Sequence, residues 1–155
     1  MKVHTYEKAF LWVGAVMLVL FLGALSFASL AMGIQLPGKV AQIDPAEVRS
    51  QPPFNEPGLR QVGENEYEAV ILGQIWAFQP NELRIPQGAE VTLVATSADV
   101  IHGLHIERTR INMMLIPGQI SKVKYTFDEP GEYLVICHEY CGSGHHLMYG
   151  KVIVE

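Results

Sequence analysis

Only two cysteines, Cys137 and Cys141, occur among the 155 residues, and the stretch from Ala9 to Leu36 holds no charged residue at all. The chain assembles no catalytic base, nucleophile pair or phosphate-binding loop, so acyl, phosphoryl and hydrolytic chemistry have no residues to carry them. Basic residues are outnumbered, 11 against 16 acidic ones, for a formal charge of −5. Nucleic-acid binding therefore has no support.

What chemistry there is concentrates near the C-terminus. Cys137-His-Glu-Tyr-Cys141-Gly-Ser-Gly-His145-His-Leu-Met148 packs two thiols, an imidazole and a thioether into 12 residues. Thiolate and thioether sulfur select copper and imidazole suits it as well, whereas a structural zinc site has no use for Met148. A blue-copper site takes two His, one Cys and a weakly held axial Met. Cys141, His145 and Met148, spaced by four and three, can converge from one turn, and His102 in Asp99-Val-Ile-His is the natural remote imidazole. That set leaves Cys137 over; bridging two coppers would employ both sulfurs. Two other readings stay open. A Cys137–Cys141 disulfide is chemically possible outside the cytoplasm. A Cys2His2 zinc site of His102, Cys137, Cys141 and His145 has acceptable cysteine spacing but leaves Met148 unexplained.

The string Cys137-x-Glu139-x-Cys141-Gly-x-x-His145-x-x-Met148, with Asp-Val-Ile-His ending at His102, resembles the binuclear CuA motif of cytochrome c oxidase subunit II. The similarity extends over the whole chain. The resemblance implies that Cys137 and Cys141 bridge two coppers, that His102 and His145 each bind one, that Met148 is a weak ligand and that Glu139 gives its main-chain oxygen. In many family members a carboxylate at the position of Glu139 also reaches a magnesium ion between subunits II and I. The implied function is an electron relay from cytochrome c, or a similar small redox protein, to haem in subunit I, where oxygen is reduced to water. The compact one-helix plan is most similar to B-family-like haem-copper oxidases. The CuA subunit of a nitric oxide reductase, or a membrane-tethered copper-binding or copper-delivery module, would carry the same ligands.

Family members with a recognised cytochrome c docking surface use an exposed aromatic cluster near copper with carboxylates around it. The comparable stretch here, Gly73-Gln-Ile-Trp76-Ala-Phe78, has one Trp and one Phe, with Gln74 near the position where an aromatic commonly leads the run. Trp76, Phe78 and Asp99 are the candidates for electron uptake and docking. Beyond Pro37 the chain has nine Lys plus Arg and fifteen Asp plus Glu, a balance of 9 − 15 = −6. That charge would draw a basic donor over a Debye length of ~8–10 Å. Of the other histidines, His105 is expected on the strand face opposite His102, His138 and His146 at the loop surface, and His4 at the membrane edge.

The uncharged run from Ala9 to Leu36 exceeds the ~20 apolar residues that cross a ~30 Å bilayer core as helix. It also exceeds the ~7–15-residue core of a cleaved signal, so a retained transmembrane anchor in contact with lipid is expected. Lys2 and Lys8 precede it and no basic residue follows before Lys39, which sets the N-terminus in the cytoplasm and the copper domain outside the cell's inner membrane. Gly14, Gly23, Ser26 and Ser29 offer small surfaces for a partner helix.

Residues 37–63 contain Pro37, Pro45, Pro52, Pro53 and Pro57, too many for a helix interior or central strand, and read as an ordered linker lying over a partner or the domain's side. A short helical turn at Pro45–Arg49, capped by Asp44, is expected within it. From residue 64 to 155 apolar and polar residues alternate in short segments between Gly and Pro turns, as in Val91, Leu93, Ala95 and in Val123, Tyr125, Phe127. Further strands are expected at Tyr67–Leu72, Val100–Ile106, Gly131–Cys137 and Tyr149–Val154. The pattern predicts an all-β Greek-key cupredoxin-like sandwich or barrel of antiparallel strands, preceded by residues 1–36 as tail and transmembrane helix. The metal loop falls between the last two strands.

Overall fold

The computed structural model describes residues 4–31 and 38–155. The chain forms two compact units, the N-terminal helix and the β-domain.

Helix α1 (Thr5–Leu30) has 26 residues and no buried side chain. At 1.5 Å per residue it is roughly 39 Å long, enough to cross a ~30 Å hydrocarbon core with tilt. An 18-residue window reaches a mean hydropathy of 2.4. A helix apolar on every side suits lipid or a partner helix rather than water.

The β-domain stacks two sheets. Its strands are β1 (Gly38–Gln42), β2 (Gly58–Gln61), β3 (Glu66–Gln74), β4 (Ala77–Gln79), β5 (Glu82–Ile85), β6 (Glu90–Ser97), β7 (His102–Ile106), β8 (Asn112–Leu115), β9 (Gln119–Thr126), β10 (Gly131–Ile136) and β11 (Tyr149–Val154). The first sheet runs β1-β9-β6-β3-β2 with β4 beside β3, and the second runs β5-β11-β10-β7-β8. Most pairs are antiparallel, as expected, but β3 pairs with β6 and β5 with β11 in parallel. The parallel pairs arise because β5 joins the opposite sheet before β6 returns beside β3, so two neighbours are no longer hairpin partners.

Side chains from both sheets meet between them. Val91, Leu93 and Ala95 of β6 face Met113 and Leu115 of β8, Tyr133 and Val135 of β10, and Val152 and Val154 of β11 within one buried cluster. Phe127 anchors it, with Tyr125 and Tyr133 rings edge-on at 4.9 and 5.7 Å between centroids. The same cluster continues without a break into Cys137, Cys141 and Met148. The metal loop is thus an extension of the apolar core, not a flap on the surface.

The stretch read from sequence as an ordered linker lies against the side of the domain and also contributes strands to it. It supplies β1, paired with β9, and β2, paired with β3. Between them, Val48 and Phe54 are buried against Val70, Leu72, Val94 and Ile120 on the outer face of the first sheet. This second core explains why β6 is buried continuously from Leu93 to Ser97, where a sheet covered on one side would alternate. Asp44 does cap the turn, accepting from the Ala46 N–H at 2.9 Å. The segment stays a run of turns, because Pro52 and Pro53 follow within a few residues and cannot extend a helical ladder.

Candidate metal centre

The residues from Cys137 to Met148 connect β10 to β11. The Cys137 N–H donates to the Met148 carbonyl at 3.2 Å and closes the base of the loop. Near its end, His145–Leu147 forms one 3-10 turn, with the Met148 N–H bonded to the His145 carbonyl at 3.1 Å. A spacing of three on such a turn stacks His145 and Met148 on one side. His102 opens β7, which pairs with β10 two strands from the loop's exit.

These elements bring the sequence-predicted ligand residues together. The Sγ atoms of Cys137 and Cys141 lie 3.8 Å apart. A disulfide requires ~2.05 Å, so the two sulfurs are free thiols in contact. His102 Nδ1 is 4.0 Å from Cys137 Sγ, and His145 Nδ1 is 3.5 Å from Cys141 Sγ. Met148 Sδ is 3.7 Å from Cys141 Sγ, and the Glu139 carbonyl oxygen is 3.3 Å from Cys137 Sγ. Among the described residues, the group of His, Cys, Asp and Glu side chains close enough to share an ion is His102, Cys137 and Cys141, whose ligand atoms lie within 4.8 Å of one another. Met148 is buried and His145 partly so.

Two features of the surroundings fit a soft metal ion. His102 is 0 % exposed, and its Nε2 donates to Asp99 Oδ1 at 2.8 Å. With the proton fixed on Nε2, Nδ1 presents its lone pair to the sulfurs, the carboxylate–histidine arrangement that orients metal-ligating imidazoles. Burial raises the Asp99 pKa, but hydrogen bonds from His102, Ile75 N–H and Val100 N–H outweigh it, and the carboxyl falls below its ordinary value. The thiols pull the other way. Burial, and then the neighbouring Cys137, push Cys141 up to about 11. A buried sulfur held neutral in this way becomes a thiolate when a cation replaces its proton. The thioether of Met148 stands within the sulfur cluster, which a zinc site of two Cys and two His would leave idle.

The candidates for electron uptake behave differently from one another. Trp76 is 41 % exposed, and its indole N–H donates to the Cys141 carbonyl at 3.1 Å. Phe78 is 2 % exposed and belongs to the central core, so it is not part of a docking surface. Trp76 lies in the turn before β4, whereas Phe78 is the buried middle residue of that strand. Asp99 sits beside the site, but its oxygens are engaged by His102, Ile75 N–H and Val100 N–H. The same turn explains why β7 starts at His102 and not at Val100: Ser97, Asp99 and Val100 bond among themselves and not across the sheet. Glu139, His138 and His146 have exposed side chains, and His105 donates through Nδ1 to the Ile111 carbonyl at 2.9 Å, away from the sulfurs. Sequence reasoning did not single out the glycines of the loop. A Cβ at Gly144 would lie 2.3 Å from the Trp76 ring, and the signal for that packing was the Gly-x-Gly between Cys141 and His145.

Comparison with known proteins agrees with this geometry. Residues 68–155 match the family described as cytochrome c oxidase subunit II, periplasmic domain. Cytochrome c oxidase subunit 2 of Thermus thermophilus is 41% identical over 154 residues, covering 97% of this chain and 92% of the relative. A haem-copper terminal oxidase dimer solved by cryo-electron microscopy contains a chain with a TM-score of 0.80 and 36% identity, covering 97% of this chain and 99% of that one. The periplasmic domain of subunit II of the Bradyrhizobium japonicum cytochrome oxidase shares the fold, at a TM-score of 0.53 and 20% identity over 61% of this chain and 86% of that one. The sandwich is therefore a copper-binding cupredoxin-like domain, as expected, with His102, Cys137 and Cys141 close together in it. The chain belongs to the cytochrome c oxidase subunit II family and is the electron-transfer subunit of a haem-copper terminal oxidase, with one N-terminal apolar helix long enough to cross a membrane.

Proposed function

We propose that His102, Cys137, Cys141, His145 and Met148, with the main-chain oxygen of Glu139, hold a binuclear copper centre of the CuA type. One observation carries this reading. The two sulfurs touch at 3.8 Å, and each has its own imidazole, His102 beside Cys137 and His145 beside Cys141. A mononuclear site would use one sulfur and leave the other buried without a role; a pair of bridging thiolates uses both. When bound, copper supplies a one-electron couple. The chain's own contribution is to hold the ligands still, so that gaining or losing an electron requires little rearrangement. Asp99 holds the proton of His102 on Nε2, the core excludes water from Cys137, Cys141 and Met148, and the turn at His145–Leu147 fixes His145 relative to Met148.

The electron donor is cytochrome c or a similar basic redox protein, a reading supported by the −6 balance beyond Pro37 and by the exposed Trp76 ring on the Cys141 backbone. The acceptor is haem in subunit I. Lys2 and Lys8 before the apolar helix support a cytoplasmic N-terminus, with the copper domain on the outer side of the cell membrane. The exposed carboxylate of Glu139 is available to a magnesium ion at the contact with subunit I.

The test is metal content and electron paramagnetic resonance of the full chain in detergent after copper loading. Two coppers per chain with a delocalised mixed-valence signal, lost in Cys137→Ser, is the expected result. One copper with a mononuclear signal, or zinc retained in preference to copper, overturns the reading.

A further inference from the structure

The dipeptide Ile75–Trp76 lies between β3 and β4 and touches both halves of the ligand set. Its Ile75 N–H donates to Asp99 Oδ2 at 2.7 Å, and the other oxygen of that carboxylate holds His102. Its Trp76 indole N–H donates to the Cys141 carbonyl at 3.1 Å. Two consecutive residues therefore reach His102 at the start of β7 through Asp99 and the metal loop through Cys141. The indole is bedded on the loop's glycines. A Cβ at Gly144 would come 2.3 Å from Trp76 Cδ2 and 2.6 Å from Cε3, and one at Gly142, whose φ is +116°, 3.2 Å from Nε1. A side chain at Gly144 would displace the ring, and Gly142 is held to glycine by its positive φ.

We propose that Ile75–Trp76 is a clamp that keeps the His102–Cys137 half and the Cys141–His145 half of the centre in register, with Trp76 as its positioning residue. This rests on the copper-centre reading for its effect on the metal, though the clamp itself is a property of the polypeptide. The carbonyl oxygen of Cys141 lies four bonds from its own sulfur, through C, Cα and Cβ. A shift there moves Sγ relative to Cys137. Ile75 and Trp76 are also 46 % and 41 % exposed, so the clamp lies open to whatever docks at this end.

Trp76→Phe keeps an aromatic ring on Gly142 and Gly144 but removes the donor, whereas Trp76→His returns a ring N–H. In copper-loaded full-length protein, Trp76→Phe is expected to lose copper to a chelator about 3- to 10-fold faster, the range for one neutral hydrogen bond. It should also change the copper hyperfine pattern, which mere loss of packing stability would not alter. Trp76→His should restore part of both. Unchanged release and hyperfine pattern in Trp76→Phe overturn the clamp. If the parent protein shows no two-copper signal, the copper reading has failed, and the clamp is judged on metal-free protein by hydrogen exchange of the Trp76 indole N–H. Slow exchange relative to free indole upholds it, and exchange at the free rate overturns it.

Discussion

The carboxylate of Asp99 and the imidazole of His102 meet at 2.8 Å, with the ring shut away from solvent and the carboxylate at its edge. The carboxylate orients an imidazole whose other ring nitrogen faces Cys137. Asp99→Ala should lower copper affinity by about 10- to 100-fold, the usual cost of losing such an outer partner, while leaving stoichiometry unchanged. Competition against a calibrated chelator measures it, and an affinity equal to the parent's would remove Asp99 from any positioning role.

The high pKa of Cys141 has consequences of definite sign. Its folded value, about 11, lies above the ordinary thiol value of 9.0. The neutral thiol is therefore favoured by folding, and its contribution is complete below pH ~9 and disappears as pH rises toward 11. Urea unfolding of the metal-free protein should show stability declining across that window, with the decline reduced in Cys141→Ala. Copper loading near neutral pH should release protons, one of them from Cys141, and a pH-stat titration would register it.

The second core makes a prediction about stability without chemistry. Phe54 is buried on the outer face of the first sheet, in a cluster separate from the one that contains the sulfurs. Phe54→Ala should cost about 3–5 kcal/mol of domain stability, the range for emptying a buried aromatic site. The copper spectrum of the folded fraction should match the parent's. Chemical denaturation and paramagnetic resonance on the same sample test both parts, and a changed spectrum would mean that the two cores are not independent.

Charge should govern how fast the donor arrives. With a −6 balance beyond Pro37, electron transfer from a basic cytochrome should slow as salt rises from 10 to about 150 mM, because the Debye length shortens from ~30 to ~8 Å. Stopped-flow rates across that range give the slope. A flat profile would assign docking to the apolar surface of Ile75 and Trp76 in place of net charge.

The clustering of the candidate ligands was legible because their spacing is local. Cys137, Cys141, His145 and Met148 lie within one loop, so spacing alone specifies that they can converge, and His102 follows from its short motif. The alternation in β6 and β9 gave the sandwich for the same reason, since a period of two needs no distant information. Parallel pairing of β3 with β6 was not legible, because it depends on β5 crossing to the other sheet. Nor was the contribution of residues 38–61: their prolines argue against central strands, and they were recruited as edge strands and turns, where a missing N–H costs nothing. Phe78 misled because an aromatic near a metal motif looks the same in sequence whether it faces water or the core.

The turn-rich segment around Val48 and Phe54 closes off one broad side of the domain from within the same chain. A partner approaching that side would meet this covering layer, with the full thickness of a sheet and the central core between it and the sulfurs. Electron tunnelling weakens steeply with distance, so that side is insulated. The open side is the rim where Trp76 and the loop come to the surface, and with copper held as proposed above, electrons would be exchanged there. By wrapping its own flank, the chain would then restrict electron traffic to one end of the sandwich.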